Sequence, residues 1–346
     1  MNPLLTPKKL VFRIAVAAGI LLLLMFLCSL IGSKTIHLGT VLQGPRQESG
    51  QANVDYEIYM HVRIPQIFLA AIVGAALACA GVVLQAILRN PLADPYLLGI
   101  SSGAGLGTML AVVVAGVSWS FWGISSITLS AFACALATVW VVWLLGGGGR
   151  RGGTSGLLLA GVVVNAFLSA VIMFLNSIAQ AGQIQTTIFW LMGNITALEN
   201  YGLLWISGGI VTAGVLILLR LSVSLNLLSL SPEEARTAGV NVKWVYQGCF
   251  AISALITAVA VSLSGLVGFV GLIVPHAVRL FIGPDHRQLI PLSALAGAGF
   301  VVLADAVSRT VVAPAVMPVG VVTALAGGPF FLFLLVRRGG KLHPER

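Results

Sequence analysis

The sequence predicts an all-α polytopic membrane protein with ten transmembrane helices, on the strength of its composition, its long apolar runs and its charge asymmetry. Hydrophobic residues make up 58% of the 346 and charged residues only 8%, whereas an ordinary soluble domain carries roughly 25% charge. Mean hydropathy is +1.02. Apolar stretches of about 18 residues or more, long enough as helices to cross roughly 30 Å of hydrocarbon, recur at 14–31, 64–88, 97–117, 119–145, 156–178, 202–219, 244–263, 265–282, 290–307 and 319–336. They are too long and too continuously apolar for alternating barrel strands. Backbone groups in lipid need internal partners, which leaves helices.

An even number of spans puts both termini on one side of the membrane. If that side is the cytoplasm, only Lys34, Arg46, Arg63 and Arg309 of the 19 Lys and Arg residues fall outside, a strong positive-inside bias. The net charge of +9 is then an orientation signal, and no nucleic-acid partner is implied. The first apolar run follows Lys8 and Lys9 but leads into no small-residue cleavage pattern, so it reads as a retained helix. Cys28, Cys79, Cys134 and Cys249 lie inside predicted spans without CxxC spacing and read as small packing residues. The chain reads as a single transmembrane domain over 1–346.

Most connections are short. Three are longer or more polar: 32–63 and 179–201 outside, and 220–243 inside. Within the second, the apolar TTIFWLMGN (186–194) suits a short helix near the interface. The third contains SPEEARTAGV (231–240), which carries its own helix signals. Ser231 is a good N-cap, Pro232 suits the first helical position, Glu233 and Glu234 sit at the positive helix end, and Gly239 can close the helix in a left-handed conformation. Such a helix of about two turns cannot span lipid. It is either a solvated connector or a docking element for a cytoplasmic partner.

Glycine is dense inside the predicted membrane helices, including Gly74, Gly81, Gly265, Gly268 and Gly271, and small residues let membrane helices approach closely. Pro275 should kink the eighth span. GISSG (99–103) matches a nucleophile-elbow pattern but opens a membrane helix. GGGGRRGGTSG (146–156) lacks the Gly-Lys-Ser/Thr of a P-loop. The five histidines form no metal-ligand cluster. A coupling acid near the bilayer midplane is also missing; only Asp305 comes close, at a spacing that allows an i,i+4 pair with Arg309. An ion-coupled secondary carrier or passive channel is the alternative class.

The strings RIPQIFLAAIVGAALACAGVVLQAILRNPLADPYLLGISSGAG (63–105), GLVGFVGLIVPHAVRLFIGPDH (265–286) and MPVGVVTALAGGPFF (317–331), together with SPEEARTAGV, closely resemble the FecCD-type permease subunits of ABC importers. The likeness runs over essentially the whole chain. It implies a bacterial cytoplasmic (inner) membrane protein that moves an iron–siderophore, haem or cobalamin by alternating access. The implied partners are a second permease copy, two cytoplasmic ATPase subunits and an extracytoplasmic substrate-binding protein. ATP and Mg would be bound by the ATPase partner, and this chain would be neither an enzyme nor a cofactor-binding subunit. By resemblance, 220–243 is the coupling loop, with Ser231, Pro232, Glu233, Glu234, Arg236 and Gly239 its key positions. Arg63 and Arg309 match arginines that dock the binding protein in relatives, although many relatives carry a second Arg where this chain has Gln66. Thr154 and Ser155 match a gate-forming pair, and they also suit simple N-capping. Asn165, Asn176 and Gln180 are candidates for lining the path or for interhelical hydrogen bonds.

Overall fold

The computed structural model describes residues 6–46, 52–114, 120–121, 124–147, 153–196 and 201–339. Helix α1 (Pro7–Leu30) starts where the Thr6 hydroxyl accepts from the Lys9 amide and Pro7 takes the first helical position. Two short helices, α2 (Leu38–Val41) and α3 (Val54–Glu57), follow. A wide π-helical turn, Ile58–Arg63, carries α3 straight into α4 (Ile64–Ile87). Next come α5 (Ile100–Val113) and α6 (Ser126–Leu145). Between them β1 (Ser120–Phe121) pairs antiparallel with β2 (Ile124–Ser125), a small addition to the all-α expectation. The remainder is α7 (Gly153–Ile178), α8 (Ala181–Leu191), α9 (Tyr201–Arg220), α10 (Ser222–Leu230), α11 (Pro232–Thr237), α12 (Val242–Ser264), α13 (Val270–Ile282), α14 (His286–Ser308) and α15 (Val319–Gly339).

Among the described residues, seven helices are long and apolar enough to cross a membrane: α1, α4 with its extension from Val54, α6, α7, α9, α12 and α14. Shorter apolar helices stand at the other three predicted spans: α5, α13 and the Val319–Phe333 part of α15. Helix α8 begins at Ala181, five residues before the predicted 186–194 segment and overlapping it. Helix α10 is an element the sequence reading left inside the 220–243 loop.

Helix α4 is the central post. Its most apolar window is 78% buried, whereas that of α1 is 6% buried. Residues Ala76 to Ile87 are buried without a break, so every face of that half of α4 is covered, as a helix apolar all round requires. It packs closely on α14 because neither helix has a side chain at the crossing: a Cβ on Gly74 would strike the carbonyl of Gly297, and one on Gly297 would strike that of Gly74. Farther along, Gly81 meets Gly271 of α13 in the same way.

Helices α5 and α13 are short for a physical reason. The carbonyl of Leu77, near the middle of α4, lies against Gly271, the second residue of α13, so α13 starts deep in the bundle. The Pro95 ring packs on the same glycine, so the chain leaving α4 turns back to that depth before α5 begins. The predicted spans 97–117 and 265–282 are therefore each part helix and part irregular backbone. Irregular backbone at membrane depth is tolerated only where protein groups satisfy it. The Tyr96 hydroxyl does this twice, accepting from the Val267 N–H at 3.0 Å and donating to the Val267 carbonyl at 3.0 Å. The Asp94 carboxylate accepts from the Tyr96 amide at 2.8 Å, and Gln85 donates to the Gly271 carbonyl at 3.2 Å. Pro275 sits inside α13, and the helix continues through it to Ile282.

Tyr96→Phe keeps the ring and orphans both Val267 backbone groups. At roughly 1 kcal/mol or more per unpaired buried group, the loss is about 2 kcal/mol or more, to be read as a lower thermal unfolding temperature of the detergent-purified chain.

Candidate functional site

Two ends of the bundle carry the predicted functional residues. At one end, which we call the basic end, α10 and α11 bridge α9 to α12. The Ser231 hydroxyl accepts from the Glu234 amide at 2.9 Å and Pro232 opens the helix, as its sequence predicts. The far end is closed by Gly239 at φ +82°, with the Val240 amide donating to the Ala235 carbonyl at 2.9 Å. Ala235 is fully buried, while Glu233, Glu234 and Arg236 are exposed. One apolar residue anchors the helix and three charged ones face outward.

Beneath α11 lies a cavity of about 300 Å³, lined among others by Trp143, Leu157, Pro232, Arg236 and Tyr246. Trp143 packs on Phe250 with ring centroids 4.6 Å apart and on Tyr246 at 5.9 Å, so aromatic rings form one rigid wall of that hollow. Arg89 lies just past the end of α4, in a left-handed conformation (φ +49°), and donates to the Leu228 carbonyl at 3.0 Å. That bond ties the central post to α10, directly before α11. In the sequence Arg89 counts only among the positive charges of the inner side, and nothing there marks its bond to Leu228 or the hollow.

The gate and path candidates fall along α7. Thr154 lies in its first turn, and its side chain is outside the described residues. Ser155 is exposed at the start of an open helix face that continues through Leu159, Val162, Phe167 and Phe174. Asn165 and Asn176 flank that face, half-buried, and the Asn176 Oδ1 is buried without a hydrogen-bond partner. Gln180 is exposed at the start of α8, where its amide donates to Gln183 Oε1 at 3.0 Å. The structure thus places Ser155 and the two asparagines along one helix, with Gln180 beyond its end.

At the opposite end, Arg63 and Arg309 are 4% and 7% exposed. Arg63 donates to the carbonyls of Ser29, at 3.0 Å, and Lys34. Arg309 donates to the Ile31 carbonyl at 3.1 Å and forms the expected i,i+4 ion pair with Asp305 at 2.9 Å. Both guanidiniums fasten the end of α1 to α4 and α14. Within this chain the two guanidiniums are held by backbone carbonyls and, for Arg309, by Asp305. Gln66 has a matching purpose: its amide donates to Asp305 Oδ1 and to the Ile195 carbonyl, both at 2.8 Å. Beside them in the exposed connection, the Lys34 ammonium bonds Asp55 at 2.9 Å and holds that carboxyl below its usual range.

The geometry on its own defines a many-helix membrane protein with a capped, charged helix at one end. Residues 20–337 match the FecCD transport family, and the chain belongs to that family. It is 41% identical over 283 residues to the hemin transport system permease protein HmuU of Yersinia pestis, covering 82% of this chain and 84% of that one. It is 42% identical over 280 residues to the cobalamin import system permease protein BtuC of Halobacterium salinarum, covering 79% and 72%. Its fold is similar to the solved inward-facing structure of a metal-chelate type ABC transporter, with a TM-score of 0.75, 31% identity, and coverage of 93% of this chain and 99% of that one.

Asp305→Ala would leave the Arg309 guanidinium buried without its carboxylate and Gln66 without one acceptor. Breaking a buried pair from one side costs roughly 3–5 kcal/mol, so thermal unfolding of the purified variant is expected at a markedly lower temperature than the parent.

Proposed function

We propose that this chain is the membrane permease subunit of an ATP-driven importer of metal chelates, in the size class of haem, iron–siderophore or cobalamin. The observation that carries the reading is α11. It is a helix locked by caps at both ends, anchored by one buried alanine, with Glu233, Glu234 and Arg236 presented outward. The relatives whose names specify hemin and cobalamin import support the substrate class.

In this reading the basic end faces the cytoplasm, both termini included, and a separate ATPase subunit receives α11. Two copies of the chain enclose one path, and their exposed α7 faces, with Ser155 at the inner end, line or close it. A binding protein delivers the chelate at the opposite end, where exposed side chains in the α1–α4 connection such as Lys34 and Glu57 offer charge. ATP binding draws the two ATPases together, α11 moves with them, and the path changes from open on one side to open on the other.

An ion-coupled carrier would need a titratable group free in the path. Asp305, the acid that came nearest to this role in the sequence, is held by Arg309 and Gln66, and Asp94 caps the Tyr96 amide.

Glu234→Arg reverses a charge at the contact without touching the Ser231 cap. Transport in proteoliposomes containing the chain, its ATPase and its binding protein should fall about tenfold or more, as a like-charge clash of a kcal/mol or two implies, with membrane insertion unchanged. Uptake at the parental rate would remove α11 from the coupling path.

A further inference from the structure

A second and larger cavity, of about 1240 Å³, opens at the basic end between the start of α1, the end of α4, α10 and the α13–α14 connection. Lys9 and Arg13 of α1, Arg89 past α4, and Arg279 of α13 all line it. Arg13 donates to Gln288 Oε1 at 2.6 Å, Arg89 to the Leu228 carbonyl, and Arg279 to Gln85 Oε1 at 3.2 Å. The acceptors of Arg13 and Arg89 are neutral and leave the positive charge of those two in place. The carboxylate in the lining, Asp285, is bound by Arg287 at 2.7 Å and Asn226 at 2.8 Å. Burial opposes its ionisation, but these donors outweigh burial and hold its carboxyl down at about 2.

His286, also in the lining, adds an independent observation. It is 4% exposed, and its Nε2 is buried without a partner. Asn226 Oδ1 accepts from the His286 backbone amide at 2.9 Å and lies 2.7 Å from its Nδ1, while Asn226 Nδ2 donates to Asp285. With that oxygen an acceptor on both bonds, Nδ1 carries the proton and Nε2 carries a lone pair that lacks a donor. Apolar surface adjoins the cations: Phe12, Leu280 and Phe281 are 69%, 65% and 87% exposed and stand in the same wall. They lie at the ends of membrane-spanning helices, where acyl chains begin.

We propose that this cavity binds an anionic, glycerol-headed phospholipid of the phosphatidylglycerol type. Its phosphate sits among Lys9, Arg13 and Arg89, a headgroup hydroxyl donates to His286 Nε2, and its acyl chains run along Phe12 and Phe281. An ethanolamine or choline head would bring a cation among cations. The inference rests only on the chain spanning a membrane, so it stands or falls apart from the transport reading.

The test uses the full-length chain, alone and assembled with its ATPase subunits, purified from vesicles of phosphatidylglycerol and phosphatidylcholine, with retained lipid counted by native mass spectrometry. Phosphatidylglycerol should be retained over phosphatidylcholine in both forms. Lys9→Gln and Arg13→Gln should each lower that retention about fivefold, and Lys8→Gln, one residue outside the lining, should not. His286→Phe should abolish the preference for phosphatidylglycerol over phosphatidic acid while keeping that for anionic over zwitterionic lipid, a pattern that general misfolding would not produce. Equal retention of both lipids would overturn the proposal. So would displacement of the lipid by millimolar inorganic phosphate, which would make this a free-anion site, or its loss on ATPase assembly, which would assign the cations to the protein interface.

Discussion

Backbone groups at membrane depth have no water to bond, and the interior of this bundle is organised around meeting that demand at two places where no helix meets it. The chain leaves α4 and returns toward mid-bundle before α5 starts; it leaves α12 and descends through 265–269 before α13 starts. The hydroxyl of Tyr96 serves both polar groups of Val267 at 3.0 Å, so the stretch after α4 supplies the partner that the stretch before α13 lacks. Close contact between the segments depends in turn on the absence of side chains at Gly81 and Gly271. The post formed by α4 can then hold α13 and α14 along its length, Gly271 against Gly81 and Gly297 against Gly74.

Hydropathy read the membrane segments well because it sums side-chain transfer energies, and those decide which residues enter lipid. It carries no information about backbone pairing, so the 97–117 and 265–282 runs looked like whole helices. Tyr96 and Val267 are 171 positions apart, and nothing local in either marks the bond. Helix α11 was legible for the opposite reason: its N-cap, proline, acids and terminal glycine are all local signals within ten residues, and each takes the position expected of it. The docking role of Arg63 and Arg309 comes from the family resemblance alone, and their burial has no local mark in the sequence. Here backbone carbonyls of Ser29, Lys34 and Ile31 turn them inward. The pairing of Asp305 with Arg309 was visible as an i,i+4 spacing, whereas Gln66, 239 positions from Asp305, became intelligible only once the two were seen to touch.

The two ends of the bundle are built on different plans. At the end holding Arg63 and Arg309, charge is buried, paired and spent on fastening α1 to its neighbours. At the basic end, charge is spread over exposed α11 and around two cavities, with Arg89 linking the central post to α10.

The hollow under α11 gives that contrast a mechanical meaning. A helix whose terminal hydrogen bonds are closed by Ser231 and Gly239 does not stretch or fray under load, so a push on it is delivered whole. With empty space and the Trp143 and Tyr246 rings beneath it, the helix has clearance before it meets a hard stop. In the proposed importer, the width of that gap would set how far α11 travels before its motion reaches the rings beneath it.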